Sequence, residues 1–155
     1  MSASTVDSMA LSVSERERFL AEPHIGALSV TERPNRAPLS VPIWYWYSPG
    51  GELWIHTVPT SRKARAIEAA GRFTLMVQRS EPTVRYVSVE GPVTRTAPGG
   101  GELSHQMAGR YLLPDQVAGF VEHEAELGEH VAIYMRPEHW LSADLGPGTN
   151  EGYVR

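Results

Sequence analysis

The sequence predicts a mainly β protein, a six-stranded antiparallel barrel with short helices at its periphery. Six segments have the alternating apolar and polar residues of strands, and the helical segments between them follow no regular strand–helix alternation. The chain has 155 residues, of which 41% are apolar and 21% are charged, as is usual for one globular domain. We therefore expect a single domain over residues 1–155, with flexible tails at 1–10 and 146–155.

The first half of the chain predicts a helix followed by a strand and a hairpin. Leu11–Glu22 is amphipathic, and Ser14 with Glu17 fits a capping box at its start. Three strands follow, at His24–Thr31, Leu39–Tyr47 and Glu52–Thr57. Because only the short turn Ser48–Gly51 separates the second strand from the third, we expect these two to pair as a hairpin.

The second half predicts a further helix, a helical hairpin and the remaining strands. Thr60 and Ser61 supply a cap for a helix at Arg62–Ala70. Strands then follow at Arg72–Gln78, Val84–Thr96 and Glu129–Met135, and helices at Glu102–Tyr111 and Asp115–Leu127. Pro92 indicates a bulge or an unpaired position in the longest strand. Residues 138–144 are compatible with a continuation of the last strand beyond a proline bend.

Composition and spacing exclude several classes of function. A net charge of −4 is opposite to what a nucleic-acid-binding surface requires, and no segment approaches the roughly 18 apolar residues of a membrane-spanning helix. Because the chain has no cysteine and no secretory signal pattern, we expect a cytoplasmic protein without disulfides. No two of its six histidines have the i, i+4 spacing of a helical zinc site, so the sequence predicts no metal site.

The segment Thr57–Arg65 is a candidate for binding an anion. It places hydroxyl groups and the cations Arg62 and Lys63 at the start of a helix, where backbone amides lack partners and the dipole attracts negative charge. Without an anion, each cation in a first helical turn costs about a few tenths of a kcal/mol. The segment therefore predicts a phosphate site, and the alternative is a basic helix start that faces solvent.

Aromatic residues concentrate in the second predicted strand. Alternation along a strand places Trp44 and Trp46 on one face and Tyr45 and Tyr47 on the other. One of these faces lines a flat ligand cavity, or the rings pack inside the barrel. His56, in the strand that follows, has the same two interpretations, either as a group that polarises a ligand carbonyl or as a structural residue.

Four segments, taken in order, carry a resemblance to a known family. They are Val41–Tyr45, Leu53–Thr57, Ser61–Arg65 and Val87–Gly91. In this order they resemble the pyridoxamine 5'-phosphate oxidase-like superfamily of split-barrel flavin and deazaflavin proteins, and the similarity extends over about Ile25–Trp140. The resemblance implies a split β-barrel of the FMN-binding type. It also implies a homodimer that holds FMN or coenzyme F420 at the protomer interface, and the sequence leaves the choice between these cofactors open.

The resemblance further implies which residues contact the cofactor. In the family, the strand that matches Ser40–Trp44 meets the ring, and the threonine and the Ser-Arg-Lys triplet hold the phosphate. Tyr86 stands where one branch has a glutamine that reaches the cofactor, and Trp140 matches a tryptophan from the other protomer. The cofactor-binding residues predicted in this way are Ser40, Val41, Pro42, Ile43, Trp44, His56, Thr57, Ser61, Arg62, Lys63, Tyr86 and Trp140.

The activity implied by the resemblance is a flavin- or deazaflavin-dependent oxidoreductase acting on a small unsaturated or oxidised organic substrate. True pyridoxamine phosphate oxidases carry an Arg-x-His element after the position of Trp140, and its absence from residues 141–148 argues against vitamin B6 oxidation. The chain looks more like the actinobacterial branch. Because the cofactor carries the hydride, no catalytic side chain is predicted. The alternatives are a protein that binds flavin, coenzyme F420 or haem without turnover, and a scaffold with an empty groove.

Overall fold

The computed structural model describes residues 9–147 of the chain. Four helices lie wholly within this range, namely α1 (Val13–Ala21), α2 (Arg62–Ala70), α3 (Gly101–Tyr111) and α4 (Pro114–Glu126). Eight strands accompany them, namely β1 (Gly26–Val30), β2 (Leu39–Ile43), β3 (Tyr45–Tyr47), β4 (Leu53–Thr57), β5 (Arg72–Arg79), β6 (Thr83–Pro98), β7 (Val131–Met135) and β8 (His139–Pro147). None of the helices within the described range is long and apolar enough to cross a membrane.

The strands form one curled antiparallel sheet in the order β2-β1-β5-β6-β7-β4-β3, with β8 paired to β6. The 16-residue strand β6 joins its two halves, because its first part pairs with β5 and β8 and its last part with β7. The register of β6 against β7 shifts between Val93 and Arg95, beside Pro92, which confirms the predicted bulge. A long strand shared by two half-sheets agrees with the predicted split barrel.

The predicted number of six strands is wrong, because residues 9–147 contain eight. The single strand expected at Leu39–Tyr47 is interrupted at Trp44, where the chain leaves β1 and begins to pair with β4. His139–Pro147 does not continue β7 but returns along β6 as a separate strand, so Gly146 belongs to the sheet and not to a tail. Side-chain alternation indicates extended backbone but not which neighbour it pairs with, so it could not locate these breaks.

The helix ends follow from local side-chain bonds. The predicted capping box at Ser14 and Glu17 is instead formed by Ser12 and Glu15, which have the same spacing, and the Glu15 amide donates to Ser12 Oγ (3.2 Å). The predicted cap of α2 is confirmed, since Ser61 Oγ accepts from the amide of Ala64 (3.3 Å). Of the tails predicted at 1–10 and 146–155, residues 1–8 and 148–155 lie outside the described residues.

The main core fills the barrel, and a smaller apolar cluster lies on its outer face. Large side chains that are fully buried include Phe19, Leu20, Leu28, Tyr45, Leu53, Ile55, Ile67, Leu75 and Met135. The outer cluster centres on Trp54, Met107 and Ala132, where the α3–α4 hairpin packs on the sheet. Burying aromatic and aliphatic side chains on both faces of β4 holds the strand that carries His56 and Thr57 rigidly in place.

Candidate functional site

A cavity of about 260 Å³ opens where β2 ends, α2 begins and the α3–α4 hairpin crosses the sheet. We call it the central cavity; it is lined by Pro42, Ile43, Trp44, His56, Thr57, Val58, Lys63, Met107, Phe120, Glu124 and His130. Six residues of the predicted cofactor site therefore meet in one place, although they come from three separate elements. The α3 and α4 helices supply the further wall residues Met107, Phe120 and Glu124.

Trp44 is fixed by aromatic packing. Its ring stacks on Tyr111 at 4.7 Å between centroids and lies 5.0 Å from the ring of Phe120. The Tyr111 hydroxyl donates to the carbonyl of His24 (2.8 Å) and accepts from the amide of Tyr45 (3.2 Å). This wall is consequently rigid, and the predicted alternation holds, since Tyr45 lies in the main core and Trp44 in the outer cluster.

The start of α2 forms the polar end of the central cavity. Thr57 is only 6% exposed, and its hydroxyl lies 3.2 Å from Ser61 Oγ, which caps the helix. The amides of Arg62 and Lys63 have no acceptor within the helix, because no earlier turn offers them a carbonyl. Lys63 adds a cation at the cavity wall. Donors, dipole and positive charge together suit an anion.

Arg62 does not line the central cavity but bonds to Glu32. It donates from Nε and Nη2 to both carboxylate oxygens of Glu32, at 2.6 and 2.5 Å, and these bonds hold the pKa of Glu32 below its ordinary value. The pair lines a neighbouring basic cavity of about 470 Å³, which is also lined by Arg33, Arg36 and Ser40. Within one chain, Arg62 and Ser40 therefore line this second cavity, whereas Lys63 lines the central one.

Three further predicted residues lie outside the central cavity of a single chain. Val41 borders a shallow hollow on the β1–β2 edge together with Ser40 and Pro42. Tyr86 lies in the middle of the sheet on β6, in register with β5 and β8. Trp140 on β8 packs edge-on against Tyr47 and beneath the Arg16 guanidinium. The predicted contact of Trp140 with the partner's cofactor remains a prediction.

Two wall residues that the sequence did not single out, Glu124 and His130, surround His56. Glu124 Oε2 lies 3.6 Å from His56 Nδ1 and 3.4 Å from His130 Nε2, and Ser104 Oγ donates to Glu124 Oε1. Burial opposes protonation of His56, but Glu124 and the Gly99 carbonyl outweigh it and raise the pKa of His56. Burial also disfavours ionised Glu124, yet the neighbouring His56 and the hydrogen bond from Ser104 lower the pKa of Glu124.

This group of side chains separates the central cavity from a larger one. The outer cavity measures about 790 Å³ and lies between the end of β6, the α3–α4 hairpin and the start of β7. His56, Glu124 and His130 line both cavities. Sequence reasoning missed this group, because its members are far apart in the chain and no motif spacing links them.

Known proteins share this architecture. The profile described as pyridoxamine 5'-phosphate oxidase matches residues 13–143. A search of curated proteins found no significant match. Among solved structures, the conserved hypothetical protein Rv2991 from Mycobacterium tuberculosis has a TM-score of 0.71 and 21% identity, over 95% of this chain and 96% of that one.

Two other solved structures have names that refer to a cofactor. One named F420 Reductase has a TM-score of 0.64 and 24% identity, over 81% of this chain and 94% of that one. A FAD-binding protein from Mesorhizobium loti has a TM-score of 0.55 and 20% identity, over 87% and 94%. At these identities the structures establish the fold, whereas the family profile covers most of the sequence and confirms the resemblance. The chain belongs to the pyridoxamine 5'-phosphate oxidase family.

Proposed function

We propose that this protein is an oxidoreductase that binds FMN or coenzyme F420 and transfers hydride between that cofactor and a small unsaturated or oxidised organic substrate. The observation that carries the proposal is the central cavity, which combines the Pro42–Trp44 wall with Thr57 and Lys63 at a helix start. Family membership, and relatives named F420 Reductase and FAD-binding protein, support a flavin-type cofactor.

The polar end of the cavity fits a phosphate group. The buried hydroxyl of Thr57, the open amides at the start of α2 and the Lys63 ammonium supply donors from one side, and a phosphate needs several of them. The helix dipole adds to the attraction. These groups would hold the phosphate and thereby fix the position of the rest of the cofactor.

The apolar end fits one edge of a planar ring system. Pro42 and Ile43 lie at the end of β2, and Trp44 is held by its stacking on Tyr111. The cavity of one chain, at about 260 Å³, is smaller than the roughly 300–1,000 Å³ of most ligand pockets. We infer that a second copy of the chain completes the pocket, as in a homodimer with the cofactor between protomers.

In this proposal the cofactor supplies the hydride chemistry, and the protein binds, orients and shields it. The rigid Trp44 wall fixes the ring, and the α3–α4 hairpin limits the access of water. Because the α3–α4 residues Met107 and Phe120 face the cavity, they would also contact a substrate that lies against the ring. No side chain of the protein is required as an acid or base, since solvent can provide the proton.

The first experiment is titration of the purified, cofactor-free protein with FMN and, separately, with coenzyme F420, followed by cofactor fluorescence. Tight binding of one cofactor is expected, and it identifies which of the two the protein uses. If neither cofactor binds at micromolar concentration, the proposed function is wrong even though the fold stands.

A second experiment distinguishes an oxidoreductase from a protein that holds flavin, coenzyme F420 or haem without turnover. The bound cofactor is reduced under anaerobic conditions and then mixed with enone or quinone compounds. Reoxidation that is faster than that of free cofactor supports catalysis. Tight binding without such acceleration would instead support the non-catalytic alternative.

A further inference from the structure

His56, Glu124 and His130 form a cluster on the wall that the central and outer cavities share, so the cluster borders the proposed cofactor site. One nitrogen of each histidine and one oxygen of Glu124 lie within 4.8 Å of one another. The side chains of His56 and His130 are only 3% and 8% exposed, and that of Glu124 is 16% exposed. They come from β4, α4 and the residue that precedes β7, so the tertiary fold alone brings them together.

Backbone carbonyls determine which nitrogen of each histidine is protonated. His56 Nε2 lies 3.0 Å from the carbonyl oxygen of Gly99, and His130 Nδ1 lies 3.0 Å from that of Gly128. Because a carbonyl can only accept, these two nitrogens carry the hydrogens. In the neutral rings, the other two nitrogens, His56 Nδ1 and His130 Nε2, therefore each carry a lone pair. Both of these atoms lie next to Glu124 Oε2.

Three electron-pair donors that converge in this way repel one another unless a cation lies between them. A proton is a poor match, since 3.4 and 3.6 Å exceed the usual length of about 2.7–3.2 Å for such a hydrogen bond. Protonating both imidazoles is also unfavourable, because the rings stack with centroids 4.9 Å apart and would carry like charges.

We propose that His56, Glu124 and His130 form a binding site for a divalent transition-metal ion, and that Zn²⁺ fits it best. Two imidazoles and one carboxylate are a ligand set that zinc uses when it keeps a position open for water. Tetrahedral ligands at about 2.0–2.1 Å from zinc are about 3.4 Å apart, close to the separations of Glu124 Oε2 from the two histidine nitrogens. The two histidine nitrogens lie within 4.8 Å of each other.

Each ligand also has the outer hydrogen bond that metal sites usually show. The two ring N–H groups donate to the carbonyls of Gly99 and Gly128, and Ser104 donates to the second oxygen of Glu124. The fourth position of the ion would face one of the two cavities that the group separates. The site would tie α4 to the barrel and present an exchangeable water to the cavity.

The test measures binding of Zn²⁺ itself, with no flavin or deazaflavin present, so its result is independent of the proposed function. Chelator-treated protein is titrated with Zn²⁺ by calorimetry, and we expect one ion per chain. Glu124→Gln and His130→Ala should each weaken binding by about 100-fold or more. Replacement of Zn²⁺ by Co²⁺ should give the intense visible absorption of a tetrahedral site in the wild type but not in Glu124→Gln or His130→Ala.

The controls lie on the same helix. His123→Ala and Glu126→Gln remove a histidine and a carboxylate from α4 whose side chains are 68% and 74% exposed, so both variants should bind Zn²⁺ as the wild type does. Circular dichroism before metal addition checks that each variant folds. Because glutamine has the same shape as glutamate, Glu124→Gln still tests the site if His130→Ala does not fold. The proposal is overturned if the wild type binds no Zn²⁺, or if the Glu124 variant binds it unchanged.

Discussion

Lys63 and Arg62 are neighbours in sequence with different surroundings. Lys63 lines the central cavity, whereas Arg62 already bonds Glu32 and is mostly exposed. We expect Lys63→Ala to weaken cofactor binding by about 1.5–3 kcal/mol, the usual value of a lost charge-assisted bond. Arg62→Ala should cost less, because its guanidinium would first have to leave Glu32. Both losses are measured by fluorescence titration.

Arg65→Ala is the matched control for Lys63, since it removes a cation from the exposed side of the same helix. It should leave cofactor affinity unchanged. If Lys63→Ala has no effect, or if Arg65→Ala is equally damaging, then the phosphate does not bind at the start of α2.

Gly99 is a second position where a single added atom, the Cβ of alanine, should change stability. A Cβ at this residue would lie 2.5 Å from His56 Nε2 and 3.1 Å from the backbone of Val131, so the imidazole would have to move. We expect Gly99→Ala to lower the free energy of unfolding by about 1–3 kcal/mol, as overpacking does, and to weaken Zn²⁺ binding. Gly100→Ala is the control, because nothing lies within 4 Å of its Cβ. Equal unfolding midpoints for the two variants would contradict the prediction.

The extent to which the site could be predicted depends on how local its determinants are. The Ser-Arg-Lys helix start and the Pro42–Trp44 wall are encoded by adjacent residues, so the sequence indicated them. Glu124 and His130 join the site through long-range contacts that no spacing rule describes. The roles of Tyr86 and Trp140 stay predictions, because neither residue lines the central cavity of a single chain.

At the scale of elements, the sequence predicted which segments are extended but not where every strand ends or which strand it pairs with. Hydrophobic alternation correctly marked extended segments from β1 to β7, and caps and glycines placed α2 between them. Alternation at Tyr45–Tyr47 is the same whether the segment pairs with β1 or with β4. The short turn Ser48–Gly51 correctly predicted that Tyr45–Tyr47 pairs with β4, whereas no local signal indicated that His139–Pro147 returns along β6.

Asp144 connects β8 to β6 where their register shifts. Its carboxylate accepts from Thr83 Oγ1 (2.7 Å), from Arg85 Nη2 (2.8 Å) and from the amide of Gly146 (2.9 Å). Burial alone would raise the pKa of Asp144, but the bonds from Gly146, Thr83 and Arg85 outweigh it and lower that pKa. The ionised form is therefore bound more tightly in the folded protein than in the unfolded chain.

The stability that Asp144 contributes is present above its unfolded pKa of about 3.9 and is lost as the pH falls through the lower folded value. We expect Asp144→Asn to lower the free energy of unfolding by about 1–2 kcal/mol at pH 7, with a difference from wild type that shrinks below about pH 4. Urea unfolding at several pH values measures this. Glu68→Gln, exposed on α2, is the control, and a pH-independent difference for Asp144→Asn would refute the linkage.

At the scale of the whole molecule, both the central cavity and the edge strand β8 are reasons to expect that a second chain binds this one. The cavity of one chain is small for a flavin-type cofactor, and β8 exposes Leu141 (64%) beside Trp140, the residue predicted to reach the partner's site. Exposed apolar side chains on an edge strand are costly in water unless a second surface covers them. A homodimer through this strand would cover Leu141 and bring Trp140 to the partner's cofactor.

We therefore expect a mass of twice the chain's 17.1 kDa in light scattering after size exclusion. Leu141→Glu should raise the dimer dissociation constant at least about 10-fold and weaken cofactor binding in parallel, because a charge at a buried interface is unfavourable. Leu127→Glu, equally apolar and exposed at the end of α4, is the control and should remain a dimer. If both variants remain dimers, the interface lies on another surface. If the wild type is a monomer that still binds cofactor tightly, one chain suffices for the site.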